Sequence, residues 1–192
     1  MSALTEFLLS NVVTYGAPVF GLTLLVAAAG VPLPTTFLVV AAGAFSQQGI
    51  FDGLPAFLLG LVGAILGDSL DFWAGRYGRR WVLRRFGGLV SWHRAEVIFH
   101  RRGGLAIYLT RFLLTALALP INLIAGTSGY SFPRFLLYDV FGEATWLIVY
   151  GGLGYLFGTQ WELVSDLISN FGGLALGIAI LVAGVYLWHR AR

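Results

Sequence analysis

Long apolar runs broken by short polar stretches recur along the chain, and that pattern predicts membrane helices. Residues 8–30 (LLSNVVTYGAPVFGLTLLVAAAG) are a first span, with Pro18 as its expected kink. The next run, 31–49, opens on Pro32 and Pro34 and reaches Ser46, Gln47 and Gln48 too early for a span of about 20 residues. A re-entrant or broken segment is expected there. Residues 54–75 read as a full helix ending in GDSLDFWAG. The run at 104–126 is interrupted by Arg111, Pro120 and Asn122, and is expected to be a second re-entrant segment. Residues 134–158 give a further span, 159–170 a polar loop with Glu162 and Asp166, and 172–188 a last span.

Between these runs lies one strongly polar stretch, 76–102, with eight of the twelve arginines: Arg76, Arg79, Arg80, Arg84, Arg85, Arg94, Arg101 and Arg102. Trp81, Leu83, Phe86, Trp92 and Phe99 are interleaved among them. Arginine mixed with aromatic and aliphatic residues describes an amphipathic segment lying on an anionic leaflet. The membrane runs on either side argue against nucleic acid as its partner. By the positive-inside rule, 76–102 and the tail are cytoplasmic and the acidic loop is outside. Both termini are then expected in the cytoplasm, with 31–49 entering from outside and 104–126 from inside.

Composition sharpens this picture. The chain is 58% hydrophobic and 11% charged over 192 residues, against about 45–50% and about 25% for a soluble domain. Its mean hydropathy of +0.82 excludes the soluble class. Every basic residue is Arg, and there is no Cys, which removes disulfides, thiolate metal sites and Cys nucleophiles. The first residues, MSALTEF, lack a basic signal-peptide region, so the apolar start is expected to be retained.

Two stretches echo each other. One runs from Pro34 to Ala42-Gly43 and on to Gly67-Asp68 and Trp73. The other runs from Pro120 to Ala125-Gly126 and on to Gly142-Glu143 and Trp146. With opposite orientations, they predict an inverted repeat with a binding site near mid-membrane. The fold expected is therefore all-α and polytopic, a single domain over 1–192 with two opposed re-entrant hairpins and a cytoplasmic amphipathic segment. Ionisable residues within the membrane are costly and mark function. Asp68 and Asp71 share a helix face, as do Asp139 and Glu143, and Arg111 lies inside the second short segment. A buried Arg suits phosphate, and a buried carboxylate can carry a proton. Asp71 and Asp139 could instead pair with Arg76 and Arg134 at the interface.

Gly126-Thr127-Ser128-Gly129 fits a G-x-S-G protease pattern, but His93, His100 and His189 all fall in cytoplasmic or tail positions, away from any base role. A turn explains the motif better. The histidines lack metal-ligand spacing, and Asp68-x-x-Asp71 has no further aspartates downstream to complete a metal-binding helix, so neither an enzyme nor a cofactor is expected, with proton coupling left open.

At this point the chain resembles the DedA family, also called the VTT or SNARE-associated Golgi domain. The resemblance rests on Pro32-Leu33-Pro34 to Ala42-Gly43, Gly67-Asp68 with Phe72-Trp73 and Gly75-Arg76, Thr110-Arg111-Phe112, Pro120 with Ala125-Gly126, and Phe135 through Gly142 and Trp146 to Gly158. It implies opposed re-entrant hairpins and movement of lipids across membranes, undecaprenyl phosphate in bacteria and phospholipids in eukaryotic relatives. Many members carry Gly-Glu after the first hairpin proline, where Thr35-Thr36 stand here, and a second arginine that Leu117 replaces. The expected function is translocation of an anionic lipid phosphate across a bacterial plasma membrane. Arg111 would hold the phosphate, Asp68, Glu143, Asp139 and Asp71 would tune charge, and Thr35, Thr36 and Asn122 would add hydrogen bonds. The rival readings are an ion-coupled transporter of a small solute and a membrane scaffold. A homo-oligomer is an open alternative.

Overall fold

The computed structural model describes residues 3–50 and 52–158, so the expected polar loop at 159–170, the span at 172–188 and the tail lie outside the described residues. Among the described residues all regular structure is helical. The elements are α1 (Ala3–Tyr15), α2 (Ala17–Ala28), α3 (Thr35–Gln47), α4 (Gly53–Tyr77), α5 (Arg79–Phe86), α6 (Val90–Arg102), α7 (Gly104–Phe112), α8 (Ala118–Thr127) and α9 (Phe132–Leu156), with a 3₁₀ turn at Thr115–Leu117. One of these, α4, is long and apolar enough to cross a membrane by length and composition.

The run expected as one span at 8–30 is two helices. The break falls at Gly16, whose φ of 72° is left-handed, and Pro18 sits harmlessly in the first turn of α2. A kink at Pro18 was therefore the wrong reading of the right neighbourhood: a first-turn proline forfeits no helical hydrogen bond, whereas a left-handed glycine ends the helix.

Helix directions follow from where small residues let backbones meet. Gly21 of α2 lies against Leu59 and Gly63, and Gly67 lies against Leu25 and Ala28, so α2 runs parallel to α4. Gly151 lies near Val39, Gly154 meets Val40 and Gly158 meets Ala44, so α3 runs parallel to α9. Asn122 bonds Asp68, Gly126 meets Phe72 and Arg76, and Arg76 donates to the Tyr130 carbonyl just beyond α8, so α8 runs parallel to α4. Gly104 beside Tyr138 and Gly142 beside Tyr108 and Arg111 make α7 parallel to α9. Phe72 stacks near Phe132 and Phe135, while Asp68 shares a cluster with Asp139 and Glu143, so α4 and α9 are antiparallel. Helices α2 and α8 thus pack on α4, and α3 and α7 on α9.

The two long helices have 25 residues each and begin 79 positions apart, at Gly53 and Phe132. That same offset separates Gly63, which meets α2, from Gly142, which meets α7, and Gly75, which meets α8, from Gly154, which meets α3.

Two apolar clusters hold these helices. One gathers Phe72, Trp92, Phe99, Ile107, Ile121 and Phe135, and the other Phe20, Leu24, Leu38, Ala56, Trp146 and Leu147. In α6, the positions Trp92, Ala95 and Phe99 share one face and join the first cluster. The outer surface inverts the soluble pattern. Along α4, Leu54, Leu58, Val62, Leu66 and Leu70 form an exposed stripe at spacing four, while its buried face carries Gly60, Gly63, Gly67, Asp68 and Asp71. Water would not stabilise so long an apolar stripe; hydrocarbon does.

Candidate binding site at the helix breaks

Between the two apolar clusters, near the middles of α4 and α9, lies a buried charged cluster. Arg111 at the end of α7 is its hub, with a side chain 1% exposed. Its Nη2 donates to Asn122 Oδ1 at 2.8 Å and stands 2.5 Å from Asp139 Oδ1. Nη1 donates to Asp68 Oδ1 at 3.3 Å, and Nε lies 3.5 Å from Glu143 Oε1. Asn122 closes the ring by donating from Nδ2 to Asp68 Oδ1 at 2.7 Å. The guanidinium also faces the Phe135 ring, 6.0 Å from its centroid.

Each group arrives there for a local reason. Arg111 is in the last turn of α7, where a cation complements the helix dipole. Asp139 and Glu143 are one turn apart on α9 and share its inner face. Gly142 between them leaves room for the Arg111 side chain, into which a Cβ would intrude. Asn122 projects from α8 and is fully buried.

All eight residues singled out in the sequence are buried here or border the site. Asp68, Asp139, Glu143 and Asn122 surround Arg111 directly. Asp71, one turn along α4, is also buried, with one carboxylate oxygen that has no hydrogen-bond partner. Asp139 is 0% exposed, so the interfacial pairing with Arg134 is excluded, and every ion pair among the described residues runs through Arg111. Thr35 and Thr36, in the first turn of α3, are not among the hydrogen-bond partners of Arg111, Asp68 and Asn122; they line an adjoining cavity of about 600 Å³. Asp68, Arg111 and Glu143 form one part of its wall, and Leu24, Ala27, Val31, Leu33 and Leu119 much of the rest. Trp146, which the sequence marks only as part of the internal echo, also borders this cavity, one turn beyond Glu143 on the same helix. A second, apolar cavity of about 280 Å³ opens between α3, the start of α4 and the end of α9.

Four carboxylates stand against one guanidinium. Three of them, on Asp68, Asp139 and Glu143, bring oxygens within 4.8 Å of one another. Such an excess of buried negative charge is unsustainable without counter-charge. The Ser128 hydroxyl of the G-x-S-G pattern donates to the Ala125 carbonyl at the end of α8, which is a turn role.

Residues 31–156 match the VTT domain, and the chain belongs to this family, the DedA family of membrane proteins. It is 28% identical to the uncharacterized membrane protein slr0232 of Synechocystis, over 90% of this chain and 81% of that protein. It is 23% identical to undecaprenyl phosphate transporter A of Bacillus subtilis, covering 83% of each. An alkaline phosphatase-like protein of Lactococcus lactis is 26% identical over 84% of this chain and 80% of its own length. No solved structure matches the chain.

Proposed function

We propose that this protein translocates an anionic lipid phosphate across a bacterial plasma membrane. The observation that carries the reading is the cavity, which joins an apolar wall to one bearing Arg111, Asp68 and Glu143. An amphipathic cavity suits a lipid headgroup with its chain, whereas a small polar solute would call for polar groups all round. The transporter named for undecaprenyl phosphate among the relatives supports that class of substrate, with a phospholipid phosphate as the alternative.

In this reading α2–α3 and α7–α8 are two opposed re-entrant hairpins of an inverted repeat. The antiparallel α4 and α9, their equal lengths, and the contact of Gly30 with Leu119 where the two helix breaks meet support it. The arginine-rich α5 and α6 then lie at the cytoplasmic surface, and the start of α2, like the end of α3, lies on the opposite side. Arg111 is the one described cation in the buried cluster, and it is engaged by three carboxylates and Asn122. A phosphate gains access to it only as those carboxylates take up protons. Substrate and protons are thereby linked by competition for a single guanidinium, which couples transport to a proton gradient.

The test is a transbilayer movement assay with purified protein in liposomes, comparing undecaprenyl phosphate with ordinary phospholipid, with and without a proton gradient. Movement of a phosphate lipid that Arg111→Ala abolishes is the expected result. No movement of either lipid overturns the reading.

A further inference from the structure

We propose that the last span of this chain, expected at 172–188, docks by its Leu174, Ile178 and Leu181 face into the apolar cavity between α3, α4 and α9. The inference concerns packing and holds whatever the protein transports.

The cavity of about 280 Å³ marks a place where the two halves differ. The offset of 79 positions between α4 and α9 matches Phe72, Trp73, Phe132 and Phe135 with Gly151, Gly152, Gly53 and Ala56 respectively. Where the end of α4 meets the start of α9, the four aromatic rings pack together, in contacts of 4.7 to 6.2 Å between centroids. Where the start of α4 meets the end of α9, Gly53, Ala56, Gly151 and Gly152 line the open cavity instead. A Cβ added to Gly152 would meet nothing within 4 Å. Protein interiors are close-packed, so an apolar hollow of this kind calls for apolar side chains from elsewhere.

The chain beyond the described residues supplies them. Helix α9 ends at this cavity: Tyr155 lines it, and the Gly158 carbonyl accepts from Gln48 Nε2 at 2.8 Å, which fixes that end against the end of α3. From there 34 residues follow, polar over 159–170 and apolar over 172–188. Consecutive helices joined by a short connection pack as antiparallel neighbours. The 17 residues of the apolar run make a helix about 26 Å long, enough to follow α9 from Tyr155 past Leu147. On such a helix Leu174, Ile178 and Leu181 share one face, beside a row of Gly173, Gly177 and Gly184. The bulky row provides the volume that Gly53, Gly151 and Gly152 leave out, and the glycine row admits close backbone approach.

The experiment is a disulfide scan of the full-length chain in proteoliposomes, where the absence of native cysteine makes each engineered pair unambiguous. Gly152→Cys, and separately Ile148→Cys, is combined with single cysteines placed in turn at 172–183, and the pairs are oxidised with copper phenanthroline. Gly152 faces open space and Ile148 is 61% exposed, so neither anchor disturbs the described helices. Within one chain, Gly152→Cys should bridge to Leu174→Cys or Ile178→Cys and not to Leu176→Cys or Ile180→Cys, since the far face of a helix lies beyond the roughly 7 Å that a disulfide spans. With Ile148→Cys, one turn earlier on α9, the bridging positions should move one turn later, as antiparallel packing requires. Bridges that join two chains assign the cavity to a second copy and overturn the proposal. Bridging at every position, or at none, overturns it as well. In the latter case, free reaction of Gly152→Cys with a membrane-soluble maleimide assigns the cavity to lipid.

Discussion

Replacing Arg111 by Met tests whether the buried cluster holds the fold together. At an effective dielectric of about 20, separations of 2.5, 3.3 and 3.5 Å correspond to about 6.6, 5.0 and 4.7 kcal/mol of attraction. The same treatment gives at least about 3.5 kcal/mol of repulsion for each pair among the three carboxylates, whose oxygens lie within 4.8 Å. With arginine present, about 16 kcal/mol of attraction offsets a repulsion of at least about 10, before desolvation. Without it, only the repulsion is left. Carboxylates relieve it by taking up protons, so the expected net loss is that of breaking a buried pair, about 3–5 kcal/mol. For a chain of this size that is a fall in melting temperature of roughly 6–20 °C, read by thermal unfolding in detergent. Adding Asp139→Asn to the Arg111→Met background should restore part of the loss, because the two residues are in contact and their effects are not additive. A melting temperature within about 2 °C of wild type for Arg111→Met would refute the reasoning.

Further outcomes follow from the same geometry. Asn122→Leu removes the group that bonds both Arg111 and Asp68 and should cost about 1–3 kcal/mol, measured by the same unfolding. Gly75→Val and Gly154→Val should each destabilise by about 1–3 kcal/mol or more, since each added side chain meets backbone of the opposite half's short helix; a Gly75 variant that melts like wild type would contradict that packing. Because the chain has no native cysteine, single cysteines report topology cleanly. Gln48→Cys should be labelled from outside the cell and Arg102→Cys from the cytoplasm, and labelling of both from one side would defeat the proposed orientation.

How much of this was legible beforehand differs by feature. Membrane character followed from apolar runs and scarce charge, because a chain with so little polar surface has no soluble solution. That Asp68, Arg111, Asp139 and Glu143 each required a partner was legible for a related reason: an ionisable group amid apolar sequence is costly unless paired. The break at Gly16 was not legible, since a glycine in an apolar run reads equally as helix interior or helix end until its φ is known. Nor was the register between halves. Glycines are abundant throughout, and only backbone contact distinguishes Gly63, Gly75, Gly142 and Gly154 from the rest.

By itself, then, the sequence determined the solvent this protein folds in and the few charges that had to be reconciled there. Both are matters of composition and local spacing. Tertiary structure alone decided that residues from α4, α7, α8 and α9 converge on one guanidinium. It also decided that Thr35 and Thr36 line a cavity adjoining that cluster and that Trp146 borders it too. The physical reason is that these placements depend on which helices cross and at what depth. Crossing is set by close backbone approach at particular glycines, a property of pairs of distant residues that no local pattern encodes.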